Sequence, residues 1–171
     1  MKLAIISPPK CGSTALYYVL KNQLMQENSF CLFEPSKRAE LIEFERVKKT
    51  NKLTKIMIKN YHKCGIDLQN FDHSFLLVRD PRDFIVSALF FSFNEPSIAS
   101  NTKIIDEFKL ALDEKENNPN NVNIEDLFNI VGKSSVKPII KRYREMIYNI
   151  KSIHSLYPNN SSIIKYEDLV N

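Results

Sequence analysis

The sequence predicts one α/β domain, a parallel sheet of about five strands covered by helices on both faces. Two observations carry that prediction. Short apolar runs alternate with segments of helical spacing along 171 residues, a length that suits one domain and falls short of two. Segments that carry chemistry follow the first run, the second run and Val78, and parallel sheets bind ligands beyond the carboxyl ends of their strands.

The elements follow in chain order. Lys2–Ile6 is a short apolar run stopped by Ser7-Pro8-Pro9, which reads as a buried strand. Ser13–Gln26 places Ala15, Leu16, Val19, Leu20 and Leu24 at helical spacing behind a Ser/Thr cap signal. Phe30–Phe33 reads as a second strand, closed by Glu34-Pro35, and Ser36–Lys49 as an exposed amphipathic helix. Lys55–Lys59 and Ser74–Val78 read as two further strands. Pro81 suits the first turn of a helix reaching about Asn94. Lys103–Lys115 is helical, Glu116–Asn123 is a polar surface loop, Val136–Ser155 is a long helix, and Ser162–Lys165 is a last strand.

Composition narrows the function classes. Hydrophobic residues at 43% and charged residues at 26% exclude a disordered chain. No apolar run approaches the ~20 residues of a membrane span, and Leu3–Ile6 is too short for a secretory core. A net charge of +4 favours an anionic ligand over a nucleic-acid track. Cys11, Cys31 and Cys64 are odd in number and widely spaced, so neither a disulfide framework nor a metal site is expected. A reducing, cytoplasmic setting fits them best.

The segment after the first strand has the layout of a phosphate cradle. Ser7-Pro8-Pro9-Lys10-Cys11-Gly12-Ser13-Thr14 joins a strand to a helix, whose N-terminal amides and dipole favour an anion. Gly12, one of only three glycines, lets the backbone approach closely. Lys10 adds a charge, and Ser13 and Thr14 add hydroxyls. The lysine precedes the glycine and no Lys-Ser/Thr pair follows it, so the pattern is P-loop-like without the Mg²⁺ ligand of nucleotide triphosphatases. A plain strand-to-helix turn capped by Ser13 or Thr14 explains the same residues. After Val78, Arg79-Asp80-Pro81-Arg82-Asp83 opens a helix, and Ser87 follows Arg79 by about two helical turns. Arg79 suits bidentate phosphate binding, while a salt-bridged helix start is the structural alternative.

Together these segments resemble those of sulfotransferases that use 3′-phosphoadenosine-5′-phosphosulfate (PAPS). Pro9-Lys10-x-Gly12-Ser13-Thr14 is similar to their 5′-phosphosulfate loop. Arg79-x-Pro81-Arg82-Asp83-x-x-x-Ser87 is similar to their 3′-phosphate motif, and Lys165-Tyr166-Glu167-Asp168-Leu169-Val170 to a later Tyr-Glu-Asp-Leu stretch. Phe33-Glu34-Pro35 and Val78–Arg82 look closest to the carbohydrate branch. The resemblance implies transfer of a sulfuryl group from PAPS to the hydroxyl of a small-molecule or carbohydrate acceptor, with no metal. It implies that Lys10 contacts the phosphosulfate, that Cys11, Gly12, Ser13, Thr14 and Ala15 bind the 5′-phosphate, and that Arg79 and Ser87 bind the 3′-phosphate. The family's C-terminal nucleotide-covering loop has no counterpart in this sequence, which reads as truncated, minimal or impaired.

Sulfuryl transfer needs a proton acceptor. Glu34 follows the second strand, beside the expected cleft, and matches the glutamate of the carbohydrate branch. His62, in Lys59-Asn60-Tyr61-His62, resembles the base of the small-molecule branch but stands one residue out of register. Glu34 ranks first. The rival readings are a nucleotide-binding module without catalysis and a P-loop nucleotide kinase.

Overall fold

Leu3, Ala4, Ile5 and Ile6 leave a strand no polar face, and the chain buries it on both sides as β1 (Lys2–Ser7). The computed structural model describes residues 1–24, 28–133 and 135–170. Around β1 stand β2 (Ser29–Phe33), β3 (Asn51–Met57), β4 (His73–Val78) and β5 (Ser161–Lys165). The sheet is parallel throughout, in the order β2-β3-β1-β4-β5. The helices α1 (Ser13–Leu24), α2 (Arg38–Arg46) and α3 (Tyr61–Cys64) come from the connections that follow β1, β2 and β3. This is the predicted α/β class, a five-stranded parallel sheet flanked by helices. Met25 and Gln26, the last residues of the predicted first helix, lie outside the described residues.

The chain packs as two units, Met1–Asp80 with Arg144–Asn171, and Pro81–Tyr143. The first contains the sheet. The second is helical: α4 (Pro81–Phe91), α5 (Pro96–Ala99), α6 (Thr102–Asn117), α7 (Ile124–Ile130) and the start of α8 (Lys137–Leu156). Its core gathers Leu89, Ile98, Phe108, Leu127, Phe128 and Val131. Phe93 packs on Phe108 with ring centroids 4.8 Å apart, whereas Phe90 and Phe91 stay half exposed. A last turn, α9 (Glu167–Val170), follows β5 in the first unit.

Beside the short helices α3, α5 and α9, unread in the sequence, two elements differ from the sequence reading. β3 begins at Asn51 and ends at Met57, four residues ahead of its predicted start, and Ile58–Asn60 form a 3-10 turn. Lys52 disguised its start. Lys52 is absorbed by the carbonyls of Phe44 and Glu45 at 2.8 and 2.9 Å, near the end of α2, where the helix dipole favours a cation. Lys55 is drawn inward by the groups described below. The second difference is α7, unread in the sequence. It starts on a capping box in which Asn123 Oδ1 accepts from Asp126 N at 3.1 Å and Asp126 Oδ2 accepts from Asn123 N at 2.8 Å. The polar loop before it is shortened, because α6 runs on to Asn117.

Candidate functional site

β1 and β4 are neighbours in the sheet, yet the chain leaves β1 toward the β2 edge and leaves β4 toward β5. A crevice therefore opens beyond their carboxyl ends, the position where parallel sheets hold ligands. The loop after β1 and the residue after β4 meet there.

The loop is held in an unusual backbone shape. Lys10 has φ +63° and Gly12 φ +73°, both left-handed. Ser7 Oγ and Ser13 Oγ, both buried, bond at 2.7 Å and tie the end of β1 to the first residue of α1. Cys11 is fully buried and its Sγ donates to the Pro9 carbonyl at 3.6 Å, so it fills space beneath the loop. Lys10 is half-buried, and Thr14 and Ala15 are exposed on the first turn of α1. The first amides of α1 have no carbonyl one turn back, and the loop before them carries a lysine. Burial first, and the Lys55 ammonium second, hold Lys10 below the ordinary lysine pKa. Two ammonium groups that press on each other favour an anion between them.

Arg79 closes the loop from the side. Its Nη1 donates to the Lys10 carbonyl at 3.0 Å, and its guanidinium lies 4.1 Å from the centroid of the Tyr166 ring. Tyr166 in turn covers Gly12. A Cβ at Gly12 would stand 2.5 Å from Tyr166 Cδ2, so glycine is required both by φ and by the ring. Tyr166 is fixed at the end of β5 by its amide, which donates to the Val78 carbonyl at 2.8 Å. Next to it, Glu167 Oε1 accepts from the Asp80 amide at 3.0 Å. That bond is the main cause holding the Glu167 pKa below its usual value. The three segments singled out in the sequence, around Lys10, Arg79 and Tyr166, therefore meet in one place.

Glu34 stands at the end of β2 with φ +51°, a left-handed conformation rare for a glutamate. Its amide donates to the Lys55 carbonyl at 2.8 Å, and its carboxylate is ion-paired to the Lys55 ammonium. That ammonium also donates to Thr14 Oγ1 at 2.9 Å and lies 4.5 Å from the centroid of the Phe33 ring. Lys55 is only 2% exposed, whereas Glu34 remains 38% exposed and open to an acceptor. Sequence reasoning placed Lys55 at the start of a strand and missed its place beside Glu34, because a lysine at a strand end reads as solvated. No local pattern signals it, since its place beside Glu34 follows from the parallel pairing of Lys55 with Phe33. Lys10 and Glu34 are two of the three described non-glycine residues with positive φ.

His62 is placed differently. It is exposed on α3 and meets the Tyr61 ring edge-on at 5.2 Å. No contact joins it to Lys10, Glu34 or Arg79 among the described residues. Tyr61, which takes the register of the small-molecule branch's histidine, is buried, and burial followed by Tyr157 pushes its hydroxyl up to about 12. Ser87 lies half-buried on α4, in the helical unit. A cleft of about 420 Å³ is lined by Val78, Arg79, Asp80, Lys165, Glu167 and Asp168. It has three carboxylates against two cations, so the charge that suits an anion sits at the Lys10 loop instead. His73 and His154 bond Ser162 and Ser161 at 3.0 and 2.9 Å and serve the β4–β5 edge. No cluster of three metal-binding side chains occurs among the described residues, and no described helix is long and apolar enough to cross a membrane.

No family model matches the chain, and no curated protein matches it. Among solved structures it is similar to the crystal structure of mouse sulfotransferase SULT7A1 complexed with PAP. The match has a TM-score of 0.51 and 17% sequence identity, and covers 98% of this chain and 52% of that one. This chain has the fold of that sulfotransferase. It spans about half the length of that protein.

Proposed function

We propose that the chain binds PAPS and transfers its sulfuryl group to an acceptor hydroxyl. The observation that carries this reading is the closure of the Lys10 loop by Arg79 and Tyr166. A loop that leads into helix amides and carries a lysine, bordered by an arginine, suits a ligand with two separate anionic ends. The fold shared with a sulfotransferase complexed with PAP supports the same ligand class.

In this reading Lys10 and the amides of Cys11 to Ala15 hold the phosphosulfate, with the Thr14 hydroxyl as a further donor. Lys10 offsets charge that builds on the leaving phosphate. Arg79 takes the 3′-phosphate. Glu34 accepts the proton of the acceptor hydroxyl as the S–O bond forms and the bond from sulfur to the leaving phosphate breaks. Its half-exposed carboxylate next to the loop favours it over His62. No step needs a metal, and the acceptor is a small molecule or a carbohydrate.

Calorimetry with adenosine 3′,5′-bisphosphate (PAP) and adenosine 5′-phosphate tests the reading. The 3′-phosphate should add about 1.5–3 kcal/mol, the worth of charge-assisted hydrogen bonds. Arg79→Ala should remove most of that difference. Equal affinities for the two nucleotides in the unaltered protein refute the reading.

A further inference from the structure

The functional reading leaves Lys55 without a role, although its ammonium joins the two halves of the site. It is a buried cation with one arm on the donor loop, at Thr14 Oγ1 (2.9 Å), and another on the candidate base, at the Glu34 carboxylate. Its carbonyl also holds the Glu34 amide at 2.8 Å, so side chain and backbone fix the same residue. The Phe33 ring, 4.5 Å away, shields the ammonium from water on a further side. Its bond to Thr14 Oγ1, on the first turn after the loop, sets the ammonium beside that loop.

We propose that Lys55 is a positioning residue through which an anion bound in the Lys10 loop controls the Glu34 carboxylate. Without an anion, Glu34 is the only carboxylate in contact with the Lys55 ammonium among the described residues. When a phosphate or phosphosulfate occupies the loop, it competes for that same ammonium. The ammonium is drawn toward Thr14 and the anion, and its hold on Glu34 weakens. The carboxylate is thereby released to meet an acceptor hydroxyl only when the donor is in place. Such an arrangement ties proton acceptance to donor occupancy with no movement of the backbone. The effect requires a cation at this position, because a neutral side chain of equal length would pack the strand but could not be shared between two anions.

The proposal rests on the loop being an anion site, and the test separates it from the nucleotide assignment. The protein is labelled at its glutamate carboxyl carbons, and the Glu34 resonance is assigned with Glu34→Gln. Inorganic pyrophosphate and PAP are then added separately. Pyrophosphate should bind and move the Glu34 resonance in the unaltered protein. Lys55→Met should weaken pyrophosphate by about tenfold or more, the share of one charge-assisted hydrogen bond. It should also abolish the movement at saturating ligand. Lys55→Arg should restore part of the response. Thr14→Val, at an exposed position that leaves the buried strand untouched, should reduce it and serves if Lys55→Met does not fold. Pyrophosphate binding with a stationary Glu34 resonance, or the same movement in Lys55→Met or Thr14→Val, overturns the proposal. If PAP binds in that case, the sulfotransferase reading survives alone. If pyrophosphate moves Glu34 through Lys55 but PAP does not bind, the link stands and the nucleotide assignment falls. Failure of both ligands to bind overturns both.

Discussion

Replacing Gly12 with alanine tests the closure of the loop directly. Two separate costs follow from the geometry. The backbone at Gly12 has φ +73°, where an L side chain costs about 1–2 kcal/mol. The new Cβ would stand 2.5 and 2.7 Å from Tyr166 Cδ2 and Cε2, so the ring must move. Overpacking of that kind costs about 1–3 kcal/mol. Gly12→Ala should therefore destabilise the chain by about 2–5 kcal/mol in urea unfolding. The two costs separate by a cycle with Tyr166→Ala. Removing the ring deletes the clash but leaves the backbone strain, so Gly12→Ala in that background should cost only about 1–2 kcal/mol. Affinity for PAP should fall in Gly12→Ala along with stability, because the displaced ring is the surface on which Arg79 stacks. Strictly additive effects, or an unaltered midpoint in Gly12→Ala, would show that Tyr166 does not cover the loop in solution.

Glu34→Gln keeps an oxygen for Lys55 and removes the proton acceptor, so turnover in a sulfate-transfer assay should fall by about 10²–10⁴ with PAP affinity nearly unchanged. His62→Ala should leave turnover near normal, and the reverse outcome would make His62 the base. Sulfate transfer should persist in EDTA, since the Lys10 loop has no Mg²⁺ ligand pattern, and loss restored by Mg²⁺ would favour a kinase. Glu167 has a depressed pKa in the fold, so its contribution to stability is present above the unfolded value near 4.5 and lost as pH falls through the folded one. Glu167→Gln should accordingly flatten the acid limb of a stability–pH profile, and an unchanged limb would refute the role of the Asp80 amide.

The sheet was legible in the sequence wherever strands were uniformly apolar. β1 and β4 bury both faces, and runs such as Leu3–Ile6 and Phe75–Val78 have no helical period to confuse them. β3 was displaced in the reading because Lys52 has partners brought by another part of the chain, the end of helix α2. The turn from β1 into α1 was legible because Pro8-Pro9 stops the strand and Ser13-Thr14 offers a helix start. Its closure was not. That Tyr166 lies over Gly12 depends on β5 pairing with β4, a register that no local pattern states. The pairing of Glu34 with Lys55 was hidden for the same reason, since it follows from the alignment of β2 on β3.

The position of Tyr166 has a further consequence for the birth of the protein. The floor of the site is made from residues 7–14, which leave the ribosome early, while its roof belongs to β5 and is synthesised after the whole helical unit. The pairing of Ser74 with Ser161 spans a long stretch of chain, and its closure entropy is met only after the helical unit has been made. Strands β1 to β4 can assemble while elongation continues, at about 5–20 residues per second, but with the loop still uncovered. The loop is thus covered only once β5 has emerged and paired with β4, and a nascent chain arrested before β5 would have the cradle without its cover.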